Sequence, residues 1–313
     1  MKKVLVTCPP MLGLFEQFKE PAAAKGIELV AAKTTQVLSE TKLKELLKGF
    51  DGWIIGDDPA TREVFTAAKQ GGLTAAVKWG IGVDNVDFEA CKELDIPITN
   101  TPNMFGSEVA DVAMSLMLGL ARQTFYIDRE IRTTNGWPKP AGMSITGKTI
   151  GVVGFGDIGF NTAKRLSGFD VEVIAYDPGV DGNKELNFVK RAAWPECLEK
   201  LDFLIFTCAL NKHNFHMLNA ETLSKMKKGS KVVNVARGPL IDEQALIASL
   251  QRGHTASAAL DVFEVEPLPV ESPLRNMPQC IFGSHNGSNT IEGVHRASEA
   301  AIDKIAEFLY ADK

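Results

Sequence analysis

The chain has 313 residues, 45% of them hydrophobic and 23% charged, which is enough apolar material for two domains with full cores and excludes a disordered chain. Its formal net charge of −5, with no concentrated basic run, argues against nucleic acid and against an anionic membrane as partners. The five cysteines, Cys8, Cys91, Cys197, Cys208 and Cys280, are odd in number, scattered and without CxxC spacing, so neither a disulfide framework nor a metal site is expected and a cytoplasmic location fits.

The basic start of the chain is followed by an apolar run too short for a secretory signal, and it reads as a first strand. Strand-like segments follow at 4–7, 27–31, 52–55, 75–78 and 96–99, with helical patterns between them, which predicts a parallel α/β domain. Pro97 marks the last of these as an edge strand. Pro102 breaks the next passage and makes 100–103 a candidate hinge. The apolar stretch 109–120 repeats at helical spacing but contains Asp111 and is too short to span a bilayer.

A β-rich run at 148–155 opens the second series and carries Gly151-Val152-Val153-Gly154-Phe155-Gly156-Asp157-Ile158-Gly159. A helix over 157–167, a stop at Gly168 and a strand over 171–176 complete the β-α-β unit that such a turn requires. Gly154 makes the tight turn, Gly156 lets the backbone approach a pyrophosphate, Gly159 permits close helix packing, and the helix N-terminus offers free N–H groups to the anion. Asp177, at the end of the next strand, suits a ribose diol and repels a 2′-phosphate. No arginine occurs among Pro178, Gly179, Val180 and Asp181, so NAD is favoured over NADP.

Further strands are expected at 204–206, 232–235, 258–262 and 281–282, with the lysine-rich run 224–231 read as a solvated helix end. A flexible polar run, 287–290, precedes a last helix starting near Ile291, whose apolar residues would lack a core unless they pack back on the first domain. The expected fold class is therefore α/β with two Rossmann-like or flavodoxin-like domains. Residues 1–101 and 288–313 form a substrate-binding domain, and residues 102–287 form an inserted NAD domain with a doubly wound parallel sheet.

Three charged side chains follow strands of the second series: Arg237, Glu266 and His285. In a doubly wound sheet the carboxyl ends of strands border the ligand crevice, so these three converge although distant in sequence. A bidentate, permanently charged Arg suits a substrate carboxylate. His passes protons near neutrality, and a carboxylate beside it stabilises the imidazolium. Hydride from a nicotinamide and a proton from His285 together reduce a 2-oxo acid to a 2-hydroxy acid.

The chain resembles the D-isomer-specific 2-hydroxyacid dehydrogenase family over nearly its whole length. The resemblance is carried by Gly80-Ile81-Gly82-Val83-Asp84-Asn85-Val86-Asp87, Asn100-Thr101-Pro102, the glycine turn, Asn234-Val235-Ala236-Arg237-Gly238 with Asp242, Leu260-Asp261-Val262-Phe263-Glu264-Val265-Glu266-Pro267, and His285 with Gly287-Ser288. It implies that Arg237, Glu266 and His285 are catalytic, Glu266 being preferred to Glu264 because it stands just before the proline. It implies a cofactor set of Gly154, Gly156, Asp157, Ile158, Gly159, Asp177, Thr207, Val235, Ala236, Asp261 and Gly287, with Asp261 at the carboxamide end. Ile81, Gly82, Val83 and Arg237 are implied to hold the substrate, and a homodimer to form through 108–122 and an arm reaching Trp137.

The chain departs from that pattern in three places. Asp157 stands where relatives often carry Arg, placing a negative charge near the pyrophosphate. Ser284 replaces a common proline before His285, and Asn286 follows it. Asp57 and Asp58 stand in the loop where phosphoglycerate dehydrogenases place arginines, with only Arg62 or Lys78 to substitute. The leading expectation is an NAD-dependent enzyme for a small 2-hydroxy or 2-oxo acid, such as glyoxylate or hydroxypyruvate. The alternatives are a phosphoglycerate dehydrogenase without regulatory domain and an NAD(H)-sensing corepressor-like protein.

Overall fold

The computed structural model describes residues 1–34, 36–179 and 186–311. In chain order the elements are β1 Lys2–Val6, α1 Pro9–Gly13, α2 Phe15–Ala24, β2 Ile27–Ala31, α3 Glu40–Leu46, β3 Gly52–Ile55, α4 Arg62–Gln70, β4 Ala75–Lys78, α5 Phe88–Glu93, β5 Ile98–Asn100, α6 Gly106–Arg122 and α7 Thr124–Thr134. They continue with β6 Thr149–Val153, α8 Asp157–Leu166, β7 Glu172–Tyr176, β8 Val189–Arg191, β9 Phe203–Phe206, α9 Ala220–Lys225, β10 Lys231–Asn234, α10 Glu243–Gln251, β11 Ser257–Leu260, β12 Cys280–Phe282 and α11 Ile291–Tyr310. The chain divides into two compact units, Met1–Met104 with Asn289–Lys313, and Phe105–Ser288.

In the first unit the strands form a parallel sheet in the order β2-β1-β3-β4-β5, which is the flavodoxin-like doubly wound order. β3 and β4 are buried at every position, as strands covered on both faces must be. Trp53, Phe65, Leu43 and Leu47 form the centre of one side, each removed from water at a gain of about 1.5–3 kcal/mol for side chains of this size. α11 covers β3 and β4 with Val294, Ala297, Ala301, Ile302 and Ile305 buried. It packs so closely that a Cβ on Gly52 would fall 2.9 Å from the Ile305 Cδ1. The last helix thus finds its core on the first unit. Residues 102–104 also stay there, where the Arg296 guanidinium donates to the Met104 carbonyl, so the unit changes at 104/105 rather than at 101/102.

In the second unit the order is β12-β11-β10-β9-β6-β7-β8, all parallel. Numbered from β6, this is the Rossmann order 3-2-1-4-5-6 extended by one strand. One strand was missed and one local reading needs correction. β8 has no signal in the sequence, because three residues with two charges show neither alternation nor an apolar run. The lysine-rich run is also more than a helix end. α9 stops at Lys225, and Lys231 opens β10, where burial pushes its ammonium pKa down.

Candidate active site

Because the seven strands are parallel, the residues that follow them share one edge of the sheet: Gly154 after β6, Asp177 after β7, Thr207 after β9, Val235, Ala236 and Arg237 after β10, Asp261 after β11, and His285 soon after β12. The glycine turn is built as its spacing demands. Gly154 has φ +88, and a Cβ there would lie 2.6 Å from the Cys208 Cα, while one on Gly159 would lie 2.0 Å from the Gly154 carbonyl oxygen. Gly156, the residue before α8, differs: nothing lies within 4 Å of its would-be Cβ. The protein therefore requires two of these glycines for its own packing and leaves open space at the third, at a helix N-terminus. That is the room a pyrophosphate needs, and the residues present fit a dinucleotide.

The neighbours of the turn are held by short hydrogen bonds. Asp177 accepts from the Phe155 N–H and, at 2.8 Å, from the Gly179 N–H, while Val180 and Asp181 of that turn lie outside the described residues. The Thr207 hydroxyl bonds the carbonyls of Val153 and Gly154, both at 2.9 Å. Burial pushes the Cys208 thiol up to about 12, which makes it an inert packing group. Asp157 begins α8, accepts from the Asn161 amide at 3.1 Å, and lies against the start of α6, where a Cβ on Gly106 would meet its carboxylate carbon at 2.3 Å. Ile158 follows it in the first turn of α8.

At the other half of this edge, Asn234 folds the chain after β10. Its side chain accepts from the Ala236 N–H at 3.0 Å and donates to the Arg237 carbonyl at 2.8 Å. Gly238 then passes so close to the next loop that a Cβ would lie 1.9 Å from the Phe263 carbonyl carbon. That loop carries Glu266, whose Oε1 accepts from the Phe263 N–H at 2.9 Å and whose Oε2 meets the His285 Nδ1 at 2.7 Å. Both side chains are about a quarter exposed, at 23% and 24%.

His285 adopts a left-handed backbone, φ +56, sparsely populated for a residue with a side chain and found where surrounding contacts over-determine it. Here those contacts come from Asp261. Its carbonyl accepts from the His285 N–H at 2.7 Å, and its buried carboxylate accepts from the N–H groups of Asn286 and Gly287 at 3.2 and 2.9 Å. Gly283 leaves room for that carboxylate, since a Cβ would fall 2.0 Å from the Asp261 Oδ1.

The structure thus brings Glu266 and His285 into contact, ties Asp261 to the loop of His285 and Gly287, and places Arg237 after β10 on the same sheet edge, its guanidinium donating to the Ala236 carbonyl at 2.8 Å. Ile81, Gly82 and Val83 belong to the first unit, in the loop after β4. The Gly80 N–H there donates to the Thr101 hydroxyl at 2.7 Å, and Ile81 and Val83 are 40% and 38% exposed. Sequence reasoning missed Gly238 and Gly283 as site residues, because a close backbone approach between distant segments leaves no local pattern. Asn234 and Gly238 were visible only as parts of a motif, which did not show their packing roles.

A Rossmann sheet with a fitted glycine turn, a carboxylate after its second strand and a His–Glu pair on the same edge defines a dinucleotide-dependent oxidoreductase. Residues 114–287 match the family described as D-isomer specific 2-hydroxyacid dehydrogenase, NAD binding domain. The chain is 37% identical over 260 residues to a glyoxylate reductase of Thermofilum pendens, covering 80% of this chain and 76% of that one. It is 35% identical over 240 residues to a glyoxylate/hydroxypyruvate reductase B of Yersinia enterocolitica, covering 74% and 73%. The crystal structure of the TT0316 protein from Thermus thermophilus superposes with a TM-score of 0.86 at 30% identity, covering 99% of this chain and 98% of that one. The chain belongs to the D-isomer specific 2-hydroxyacid dehydrogenase family: it is an NAD-dependent enzyme acting on the CH–OH group of 2-hydroxy acids. No helix among the described residues is long and apolar enough to cross a membrane.

Proposed function

We propose that His285, Glu266 and Arg237 carry out the reduction of a small, unphosphorylated 2-oxo acid such as glyoxylate or hydroxypyruvate. The observation that carries this reading is the 2.7 Å contact between His285 Nδ1 and Glu266 Oε2. A carboxylate at Nδ1 holds the proton on that nitrogen, so Nε2 is the atom that exchanges a proton with the substrate. Bound nicotinamide supplies the hydride to the carbonyl carbon. The Nε2 proton goes to the carbonyl oxygen, giving the 2-hydroxy acid, and in the oxidative direction Nε2 takes it back. Arg237 pairs with the substrate carboxylate and steadies the oxygen on which charge develops.

The remaining site residues follow from the same reading. Gly154, Gly156, Ile158 and Gly159 frame the pyrophosphate, with Asp157 beside them turned towards Gly106. Asp177 holds the ribose, and Thr207, Val235, Ala236, Asp261 and Gly287 complete the cofactor set. The backbone of Ile81, Gly82 and Val83 binds the substrate carboxylate from the first unit, which acts as the substrate domain, while Phe105–Ser288 acts as the NAD domain.

An unphosphorylated substrate is supported by the cations of the first unit. The Lys78 ammonium is 3% exposed and engaged by Asp57 at 3.2 Å and by the Trp79 carbonyl at 2.8 Å. Arg62 forks both carboxylate oxygens of Glu93. Asp58 is fully buried and accepts from the Leu38 N–H, with burial pushing its carboxyl up. A substrate phosphate would have to displace these partners, so phosphoglycerate is disfavoured.

The protein works as a cytoplasmic homodimer in this reading. All five cysteines are free thiols, as a reducing compartment keeps them. α7 has no buried residue, and Phe125, Ile131 and Trp137 are 46%, 40% and 77% exposed, which a partner subunit would cover. The reading is tested by NADH oxidation against glyoxylate, hydroxypyruvate, phosphohydroxypyruvate and pyruvate, with His285→Ala as control. Turnover of the unphosphorylated acids, lost in the variant, supports it. Preference for phosphohydroxypyruvate overturns the substrate assignment.

A further inference from the structure

Glu264 and Glu266 are separated by one residue, and each holds a histidine. Glu266 Oε2 meets His285 Nδ1, and Glu264 Oε1 meets His216 Nε2 at 2.5 Å. The second pair lies outside the proposed chemistry, yet its connections lead back to it from two directions. His216 is fixed by its own backbone, whose N–H donates to the Pro239 carbonyl at 2.8 Å, and the Phe215 ring stacks on its imidazole with centroids 3.9 Å apart. Pro239 lies in the short turn of helix 238–240 that directly follows Arg237. Residues 216–218 run alongside this turn, with the Leu218 N–H bonded to the Leu240 carbonyl and the Asp242 N–H to the Leu218 carbonyl.

Glu264 also reaches α10. Its Oε1 accepts from the Glu243 N–H at 3.2 Å, and its own N–H faces Glu243 Oε2 at 3.5 Å. Two titratable side chains therefore face Glu264. The His216 imidazole meets its Oε1, and Glu243 is a second carboxyl, pushed up by burial and then by the Glu264 charge. Asp242 is turned away to cap the Ala245 N–H. The peptide between Phe263 and Glu264 is the one against which Gly238 packs. Glu264 is thus the point where the loop bearing Glu266, the segment bearing Arg237 and the start of α10 meet.

We propose that Glu264, through its pair with His216, is a positioning residue that clamps the loop bearing Glu266 to the segment bearing Arg237. The proposal rests on the reading that Glu266 and His285 form the acid–base pair. Glu264 touches neither substrate nor cofactor. It fixes the loop from which Glu266 reaches His285, and near-attack geometry is sensitive enough that a shift of about 1 Å costs on the order of 10²-fold in rate.

The test uses the full-length enzyme and the 2-oxo acid that the wild type reduces best. It compares Glu264→Gln, His216→Gln, the double variant and Glu266→Gln by kcat, KM, NADH affinity from fluorescence titration, and the pH profile of kcat/KM. Reduction needs a protonated His285, so activity falls as pH rises. A less well placed Glu266 stabilises the imidazolium less, and that fall moves to lower pH. The expected result is a loss in kcat of about tenfold for each single variant, short of the roughly 10²-fold limit for full misplacement. The double variant should be no worse, NADH affinity should stay within about twofold of wild type, and the alkaline limb should move in the same direction as in Glu266→Gln. His216→Gln breaks the pair while leaving the Glu264 bond to α10, so the proposal stays open to test if Glu264→Gln folds poorly.

Unchanged kcat and an unmoved limb in both single variants overturn it. So does a fall in kcat that tracks weaker NADH binding and lower thermal stability with the limb in place. If Glu266→Gln itself leaves kcat and the profile intact, the acid–base reading fails and the proposal falls with it. If Glu266→Gln responds and the Glu264 and His216 variants do not, only the clamp is lost.

Discussion

The two ends of the seven-stranded sheet use charge differently. At the amino ends, charged side chains close on one another. Asp202, just before β9, pairs with Lys227 at 2.7 Å and caps the Thr149 N–H of β6, and Glu172 of β7 pairs with Lys190 of β8. At the carboxyl ends, carboxylates hold the backbone of loops. Asp177 holds the N–H groups of Phe155 and Gly179, Asp261 those of Asn286 and Gly287, and Glu266 that of Phe263. Ion pairs between side chains fasten elements already formed. A carboxylate that accepts backbone N–H groups dictates the loop itself, and thereby where a neighbouring imidazole stands. The same parallel sheet therefore has a structural end and an end that carries the proposed chemistry, in keeping with the rule that ligands bind outside the carboxyl ends of strands.

Substitutions at the chemical end should remove rate before stability. The largest expected effect is that of His285→Ala, a loss in kcat of about 10²–10⁴-fold with NADH binding retained, read by NADH oxidation and fluorescence titration. A variant keeping more than about a tenth of wild-type kcat would break the comparison at its centre. Gly283→Ala comes next and should affect both properties. Its Cβ would stand 2.0 Å from the Asp261 Oδ1, so urea unfolding should show a loss of about 1–3 kcal/mol, with kcat reduced as Asp261 moves the His285 loop. Wild-type kcat in a stably folded Gly283→Ala enzyme would show that Asp261 does not set that loop.

Smaller again is Asp177→Ser, which removes the carboxylate that repels a 2′-phosphate. The ratio of NADPH to NADH dissociation constants should fall by about an order of magnitude, with kcat on NADH changed less. An unchanged ratio would move cofactor discrimination elsewhere.

The smallest effect belongs to the structural end. Burial alone would push the Asp202 carboxyl up, but the Lys227 ammonium and the Thr149 N–H override it and hold it below the usual carboxylate range. A depressed carboxyl contributes stability above its unfolded pKa and loses it as pH falls through the folded one. Asp202→Asn should therefore unfold at lower urea than wild type at neutral pH, with the gap closing in acid and kcat unaffected. A gap that persists in acid would mean that the pair contributes packing rather than charge.

Much of this site was legible before any coordinates. The glycine turn, Asp177, Arg237, Glu266 and His285 each lie in a segment that follows a strand, and strand ends can be read from apolar runs and the breakers that follow them. The preference for Glu266 over Glu264 came only from its place in a family motif, five residues after Asp261 and just before Pro267. Nothing local said that Glu264 would have a histidine of its own. The strand Val189–Arg191 was invisible for a related reason, since its place at the sheet edge comes from pairing with β7 and not from its own side chains.

The sequence by itself determined the alternation of strands and helices, the parallel doubly wound class, the glycine turn and the residue types of the proposed chemistry. These follow from periodicity and from steric rules that act over a few residues. Only the tertiary structure decided which of two glutamates meets His285, that Asp157 turns towards Gly106, that Lys78 and Arg62 are occupied by acids, and that Gly238 and Gly283 must lack side chains. Each of these depends on two segments far apart in the chain coming within contact distance. Hydrogen bonds and van der Waals exclusion act only over that distance, so they exist only once the fold has closed.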